Sequence, residues 1–355
     1  MSQGLRVAHV NVSRGYRGGE RQTELLIREL AKHGIDQVLV GRKREPLSER
    51  VRDVGIEIRL TSGNLVSVFL ATHGVDIVHV HEGRSPYAAY LRSIVSGTPY
   101  ILTRRVNNPI RQHAFAHRVY SRASFVAAVA PAVADVVRRF DARVRTAVVF
   151  SSSSGFAVDA QRAARVRARY PGKFLVGHVG ALDNDQKGQQ HIIEAAAALA
   201  PSAPDVQFLL VGGGPDEAML RGRAAGLANL DFEGFVDNVG DYLAAFDVFI
   251  LPSNREGIGS ILLDAMDRRL PVVAAQVGGV ASIVHDGETG LLIDPARPDQ
   301  LAAAIRRLRA DPELRRSLGE AGFELARAFK PPVMCQSYLD LYEQTLGSAR
   351  AARKP

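Results

Sequence analysis

The chain has 355 residues, of which 46% are hydrophobic and 23% charged, and its formal net charge is +8. That length favours two domains of ordinary size. Its single cysteine, Cys335, excludes an intramolecular disulfide and a cysteine-based metal cluster. We expect a cytoplasmic protein, because no apolar run reaches the roughly 18 to 20 residues that span a bilayer and the first residues do not resemble a signal peptide.

The basic composition attracts phosphates in general, so an anionic membrane surface is one candidate partner. We expect no nucleic-acid partner, because the positive charge is spread along the chain and neither a zinc-finger spacing nor an aromatic-studded basic motif is present. The oligomeric state does not follow from the sequence.

In the first part of the chain, short β-branched runs alternate with longer amphipathic stretches, the pattern of a parallel sheet with crossover helices. Leu25, Leu26 and Leu30 predict a helix over residues 20–33 that ends at Gly34. A polar run, residues 151–155, predicts the end of this domain, which we place at residues 1–155. The predicted strands are residues 6–12, 37–41, 56–60, 77–81, 100–104, 125–130 and 146–150.

A second series follows and predicts another domain at residues 156–330, so the expected class is α/β with two Rossmann-like, doubly wound domains. The tail, residues 312–346, is predicted to be helical with breaks at Gly319, Gly322 and Pro331-Pro332. Predicted strands are residues 174–179, 208–211, 248–251, 272–275 and 291–293, and predicted helices are residues 159–170, 189–199, 217–225, 260–268 and 299–309.

The segment with the clearest chemistry, residues 251–266, reads Leu-Pro-Ser-Asn-Arg-Glu-Gly-Ile-Gly-Ser-Ile-Leu-Leu-Asp-Ala-Met. A buried strand leads through Glu256 and two glycines into a helix that is predicted to open near Ser260. The start of a helix has unpaired N–H groups and binds phosphate well, and glycines let a ligand approach the backbone. Taken alone, the pattern also fits an ordinary helix N-terminus with acidic residues near it.

This segment resembles the retaining family-4 glycosyltransferases of the GT-B fold, whose signature is two Glu residues separated by seven positions. The matching residues are Pro252-Ser253, Glu256-Gly257-Ile258-Gly259 and Asp264-Ala265-Met266, and the likeness continues through residues 270–292. It implies two domains that face each other across a cleft, and a C-terminal helix, residues 331–355, that packs on the N-terminal domain. Glu256 would contact the donor sugar. Asp264, where the family usually has Glu, would contact the ribose.

The resemblance extends to other loops after strands. Lys187-Gly188 would place Lys187 on the donor diphosphate, although Ala181 stands where the family often has an Arg. The implied catalytic residues are Glu256, Lys187 and Arg105. The implied donor-binding residues are Gly18, Gly19, Lys187, Gly212, Gly213, Phe235, Val236, Glu256, Gly257, Ile258, Gly259, Ser260 and Asp264.

In the first domain the resemblance implies an acceptor side formed by Glu82, Arg84, Arg104 and Arg105. Arg105 replaces a His that many relatives use to contact the donor sugar, and the Thr103-Arg104-Arg105-Val106 loop resembles lipopolysaccharide-core members. Arginine suits either the departing phosphate or an acidic acceptor.

The predicted function is therefore a retaining hexosyl- or heptosyltransferase that moves a sugar from a nucleotide-diphosphate sugar to an envelope glycolipid or saccharide acceptor. No metal site and no cofactor are expected, because the Asp-x-Asp motif nearest to a predicted strand end, Asp183-Asn184-Asp185, is better explained as part of the Lys187-Gly188 loop. Two alternatives stay open. One is a nucleotide-sugar 2-epimerase of similar fold, for which Glu82 would supply a carboxylate and Arg104 and Arg105 an arginine pair near the sugar. The other is a non-catalytic nucleotide-sugar binder.

Overall fold

The computed structural model describes residues 4–351 of the chain. It forms two compact units, one made of the residues up to Ser152 together with those from Lys330 onward, the other of Ser153–Phe329. The sequence placed the two boundaries after residues 155 and 330. Ser151–154, predicted as a polar linker, are buried.

The first unit contains a parallel sheet of seven strands in the order β3-β2-β1-β4-β5-β6-β7. Its central strands, β1, β4 and β5, are buried along nearly their whole length because helices cover both faces of the sheet. In chain order the elements are β1 (Arg6–Asn11), α1 (Gly18–Lys32), β2 (Asp36–Arg42), α2 (Pro46–Arg50), β3 (Glu57–Thr61), α3 (Leu65–Ala71), β4 (Ile77–Val80), α4 (Pro86–Ser96), β5 (Tyr100–Arg104), α5 (Ala114–Arg122), β6 (Phe125–Ala128), α6 (Pro131–Phe140) and β7 (Thr146–Val148).

The second unit contains a parallel sheet of six strands in the order β10-β9-β8-β11-β12-β13. Its elements are α7 (Ala160–Ala168), β8 (Phe174–Val179), α8 (Asn184–Lys187), α9 (Gln189–Leu199), β9 (Val206–Val211), α10 (Glu217–Arg223), β10 (Leu230–Gly234), α11 (Val239–Ala245), β11 (Val248–Leu251), α12 (Ile261–Met266), β12 (Val272–Ala275), β13 (Leu291–Ile293), α13 (Pro298–Ala310) and α14 (Pro312–Ala326). The prediction of two Rossmann-like α/β domains is confirmed.

The last helix, α15 (Pro331–Ala351), belongs to the first unit and packs against α1. One side of α15 is buried in an apolar cluster with residues of α1, β4 and β6. The buried residues of α15 in this cluster are Met334, Cys335, Tyr338, Leu341 and Tyr342. The chain therefore leaves the first unit, builds the second and returns to the first.

Helices α8 and α11 were not among the predicted elements, and two further differences have a clear physical reason. The edge strand β10 was not predicted, because Leu230 is its one fully buried residue and the strand ends in Gly234. Gly319 and Gly322 do not break the tail helix: α14 runs through both. A side chain at Gly319 would stand 2.1 Å from the Arg269 carbonyl oxygen, so this glycine allows close packing rather than ending the helix.

Within residues 4–351, none of the helices combines the length and the apolar composition that crossing a bilayer requires.

Candidate functional site

The loops after β8 and β11 are packed against each other at the carboxyl edge of the second sheet. Gly188 has φ +65°, and a side chain there would stand 2.4 Å from the carbonyl oxygen of Pro252. The N–H groups of Asn254 and Arg255 both donate to the Gln186 carbonyl oxygen, at 3.0 and 3.1 Å. Because β8 and β11 are neighbours in the sheet, this contact joins parts of the chain that lie far apart in sequence.

Lys187 and Glu256 meet at this junction. Lys187 Nζ lies 2.5 Å from Glu256 Oε1, and the Ser253 hydroxyl donates to the same oxygen at 2.8 Å. The Lys187 side chain is 18% exposed and that of Glu256 is 6% exposed, so solvent screens this ion pair only in part. Both contacts use Oε1. The pair places a cation and a carboxylate side by side at the carboxyl edge of the second sheet, and both side chains belong to the predicted catalytic residues.

The glycine loops beside this pair are also in direct contact. Gly212 has φ +135°, and a side chain there would stand 1.9 Å from the Gly180 carbonyl oxygen. Gly213 lies next to Phe235, whose side chain would be 3.7 Å from an added Cβ atom. Phe235 is 72% exposed and Val236 is partly buried. An exposed aromatic ring beside bare backbone is suited to stacking on a flat ligand group.

The start of α12 follows Glu256 closely. Gly257, Ile258 and Gly259 are buried, Gly259 has φ +71°, and Ser260 is the N-cap residue, as the sequence predicted. The first N–H groups of a helix have no partner within it, so this end of α12 favours an anion.

Asp264 lies one turn further along α12 and does not contact Glu256. Its Oδ1 accepts hydrogen bonds from the N–H groups of Ser154 and Gly155, at 2.6 and 3.2 Å. Its Oδ2 is buried and has no partner in the described part of the chain. Burial raises the pKa of Asp264 to about 7, against the opposing effect of the Ser154 hydrogen bond. One oxygen thus holds the start of the second unit, and the other is buried without a hydrogen bond in the described part of the chain.

This raised pKa predicts a pH-dependent stability. The pKa of Asp264 is higher in the folded chain than in the unfolded chain, so the folded form gains stability from the bound proton and loses it as pH rises from about 4 to about 7. We expect the unfolding free energy of wild type, relative to Asp264→Asn, to fall by about 1–4 kcal/mol between pH 5 and pH 8. Urea unfolding of both proteins at each pH measures it, and parallel pH profiles would contradict it.

The predicted residues of the first unit gather at the carboxyl edge of its own sheet. Gly19, in the first turn of α1, lies against Arg105 after β5: a Cβ atom on Gly19 would be 3.5 Å from Arg105 Cδ. A Cβ atom added to Gly18 would have no neighbour within 4 Å. Glu82 is largely buried, which raises its pKa, and its carboxylate accepts the Arg84 N–H.

Arg104 and Arg105 point to different partners. Arg104 donates to the carbonyl oxygen of Asn108 and, at 3.5 Å, to the Tyr120 hydroxyl. Arg105 Nη1 lies 3.4 Å from the Ser151 hydroxyl, and its Nε is buried with no hydrogen-bond partner in the described chain.

Sequence reasoning missed a buried histidine cluster under this edge. His9, His79 and His81 lie within 4.8 Å of one another, measured between ring nitrogens. His9 Nδ1 is 3.0 Å from His81 Nε2, and His79 contacts the Tyr342 and Thr103 hydroxyls, both at 2.7 Å. Burial lowers the pKa of His9 to about 4 and those of the other two well below the usual value, so all three are neutral. The sequence does contain a signal for this cluster, because histidines stand within otherwise apolar predicted strands.

Comparisons with known proteins point to one family. The model of "Glycosyl transferases group 1" matches residues 159–325. The alpha-D-kanosaminyltransferase of Streptomyces kanamyceticus is 30% identical over 284 residues, which are 71% of this chain and 72% of that protein. The lipopolysaccharide core biosynthesis glycosyltransferase LpsE of Rhizobium meliloti is 34% identical over 161 residues, 44% of this chain and 46% of that one.

Among solved structures, Anabaena Alr3699/HepE in complex with UDP and glucose has a TM-score of 0.84 at 18% identity, covering 96% of this chain and 99% of that chain. This likeness shows the fold. Together with the family model and the kanosaminyltransferase relative, it establishes that the chain belongs to the group 1 glycosyltransferases and has their GT-B fold.

Proposed function

We propose that this glycosyltransferase transfers a hexosyl or heptosyl group from a nucleotide-diphosphate sugar to an envelope glycolipid or saccharide, such as lipopolysaccharide core, with retention of configuration. The Lys187–Glu256 pair between the loops after β8 and β11 carries the proposal. The LpsE relative supports a lipopolysaccharide-core acceptor, and HepE, which was solved with UDP-glucose, supports a UDP-sugar donor.

The loops of the second unit supply a group for each part of such a donor. Lys187 provides positive charge for the diphosphate, together with the start of α12 at Ser260. Glu256 Oε2 accepts from sugar hydroxyls while Oε1 holds Lys187 and Ser253. Phe235 stacks on the base beside Gly213, and the buried Oδ2 of Asp264 accepts from a ribose hydroxyl.

During transfer, fixed hydrogen-bond donors and positive charges stabilise the negative charge that develops on the leaving diphosphate. Lys187 is held in place by Glu256, so it does not reorganise as the sugar–phosphate bond breaks. These side chains need neither a metal nor a cofactor for that task. We assign Arg105, whose Nε has no hydrogen-bond partner within residues 4–351, to the transferring group or its acceptor.

We further propose that the enzyme works in the cytoplasm at the inner face of the cytoplasmic membrane. The net charge of +8 supports this placement, since it attracts anionic headgroups. A glycolipid acceptor would be presented at that surface.

A thermal-shift screen against UDP, GDP, ADP, CMP and their sugar conjugates tests the donor site. We expect one nucleotide series to raise the melting temperature and to bind at least about tenfold more weakly to Lys187→Ala, because a charge-assisted contact is lost. The matched control is Lys173→Ala, which removes the lysine that precedes β8 and donates to the Pro204 carbonyl oxygen.

Equal affinities of Lys187→Ala and Lys173→Ala would contradict the donor site. Donor binding without release of nucleotide in the presence of any acceptor would favour the non-catalytic binder. Release without an acceptor, together with an epimerised sugar, would favour the 2-epimerase. The proton NMR spectrum of the product reports whether the anomeric configuration is retained.

A further inference from the structure

One face of the first sheet changes from apolar to polar side chains toward its carboxyl edge. Alternate residues of a strand lie on the same face of a sheet. On β4, the face that α15 covers carries Ile77 and then His79. On β5 the same face carries Ile101 and then Thr103, and Arg105 follows directly after the strand. His79 and Thr103 therefore form a polar layer between the apolar cluster of this face and Arg105.

A series of buried hydrogen bonds connects this polar layer to α15. The Tyr342 hydroxyl lies 2.7 Å from His79 Nδ1, and His79 Nε2 lies 2.7 Å from the Thr103 hydroxyl. The Thr103 hydroxyl lies 2.8 Å from the hydroxyl of Tyr338, which is again on α15. Because all four side chains are buried, the loss of one partner leaves another polar atom unsatisfied. These bonds tie β4 and β5 to α15 beside the end of both strands.

Tyr338 is the member of this series that also lies near Arg105. Burial raises the pKa of Tyr338, and the Arg105 guanidinium opposes this rise. Thr103, which shares a hydrogen bond with the Tyr338 hydroxyl, precedes Arg105 by two residues. Tyr338 therefore fixes the end of β5 through Thr103 and stands close to the side chain that follows it.

On the other flank, α1 fixes the neighbour of Arg105. Asn11, at the end of β1, donates to the Thr23 hydroxyl at 3.0 Å, and that hydroxyl donates to the Gly19 carbonyl oxygen at 3.0 Å. Gly19 lies against the aliphatic part of Arg105. The guanidinium has little of its own to hold it: Nη1 is 3.4 Å from the Ser151 hydroxyl, and Nε has no hydrogen-bond partner among the described residues. The position of Arg105 thus depends on the groups that fix its surroundings.

We propose that Tyr338 is a positioning residue for sugar transfer, because its hydroxyl holds the end of β5 through Thr103 and so fixes where Arg105 presents its guanidinium. This inference rests on the proposed function, since it concerns the arginine assigned there to the transferring group or its acceptor. A long side chain has many rotamers, and a group that is already held in place loses less entropy when it acts on a reacting centre. The role of α15 then extends beyond its contribution to the apolar cluster.

Tyr338→Phe tests the hydroxyl, because it removes one oxygen atom and keeps the ring that lies 4.8 Å from the His79 ring, between centroids. The matched control is Tyr100→Phe, the same substitution at a fully buried tyrosine of β5 whose hydroxyl donates to the Val119 carbonyl oxygen. A second pair of variants changes the other partner of the same bond: Thr103→Val removes that hydroxyl, and Thr103→Ser keeps it. The melting temperature of each variant reports folding.

We expect Tyr338→Phe and Thr103→Val to lower kcat about tenfold relative to Tyr100→Phe, because a misplaced guanidinium serves the reacting group poorly. Thr103→Ser should keep the control rate, and nucleotide affinity should be the same in all four variants. In an Arg105→Ala background, Tyr338→Phe should lower kcat no further, since a positioning residue has no effect once the residue that it positions is gone.

A measurement without turnover uses the Arg105 Nε–H signal in the nitrogen-15 NMR spectrum, identified by its loss in Arg105→Lys. This N–H is buried, so it should exchange slowly with water in wild type and in Tyr100→Phe, and about tenfold faster in Tyr338→Phe. Failure of the proposed function is seen separately, as a wild-type chain that transfers no sugar. Faster exchange in Tyr338→Phe would still support positioning of Arg105 by Tyr338 in that case.

Equal kcat and equal Nε–H exchange in Tyr338→Phe and Tyr100→Phe would overturn the proposal. A loss of kcat on Tyr338→Phe that is undiminished in the Arg105→Ala background would also overturn it, because the hydroxyl would then act on stability or on another group.

Discussion

Deletion of residues 331–355 is expected to destroy activity by unfolding the first unit. The deletion removes the α15 residues Met334, Cys335, Tyr338, Leu341 and Tyr342 from the apolar cluster that they share with α1, β4 and β6. Burial of a side chain of this kind contributes about 1.5–3 kcal/mol. The loss is therefore roughly 7–15 kcal/mol, as large as the whole stability of a typical domain.

The matched control is deletion of residues 347–355, which removes the end of α15 but leaves every buried residue of that cluster in place. Amide hydrogen exchange distinguishes the two deletion variants. The amides of strands β1 and β4 should lose their protection from exchange in the longer deletion and keep it in the shorter one. A longer deletion that transfers sugar at the wild-type rate would show that α15 is dispensable.

Substitution of Glu256 by Gln is expected to lower the transfer rate by about 100-fold or more while leaving the fold intact. The amide keeps the size of the side chain but removes the negative charge that holds Lys187 at 2.5 Å and that would accept from the donor sugar. Both the charge-assisted contact and the position of Lys187 are then lost.

The measurement is kcat from released nucleotide, with the melting temperature as a check on folding. Glu313→Gln is the control, because Glu313 is exposed in the first turn of α14 and pairs with Arg316 on the same helix. If the nucleotide identified by the screen binds Glu256→Gln with wild-type affinity but kcat falls, Glu256 acts in transfer. An unchanged kcat would remove Glu256 from the catalytic group.

The sequence allowed prediction of the sheets because parallel strands buried on both faces are continuous apolar runs, such as Val248–Leu251. Strand β10 was not predicted because only one of its five residues, Leu230, is buried, so it lacks a continuous apolar run. Gly319 and Gly322 were misjudged for a different reason. A glycine that allows one backbone to approach another cannot be told from a helix breaker without knowing its neighbour, here the Arg269 carbonyl group.

The residues of the candidate site could be proposed from the sequence, but the contacts between them could not. Lys187 and Glu256 are 69 positions apart, and only the order β8-β11 in the sheet brings their loops together. The histidine cluster depends in the same way on the pairing of β1 with β4, which places His9 opposite His79. Neither pairing leaves a local pattern, because each depends on strand order rather than on spacing.

The return of α15 to the first unit has a consequence for the order in which the protein is made. The second unit is one continuous segment, Ser153–Phe329, and can complete its sheet as soon as that segment has been synthesised. The first unit is built from two segments that lie on either side of the second unit in the sequence, so its apolar cluster stays open until α15 leaves the ribosome. The strands synthesised first are therefore the last to gain their full stability, and during translation they expose the surface that α15 later covers.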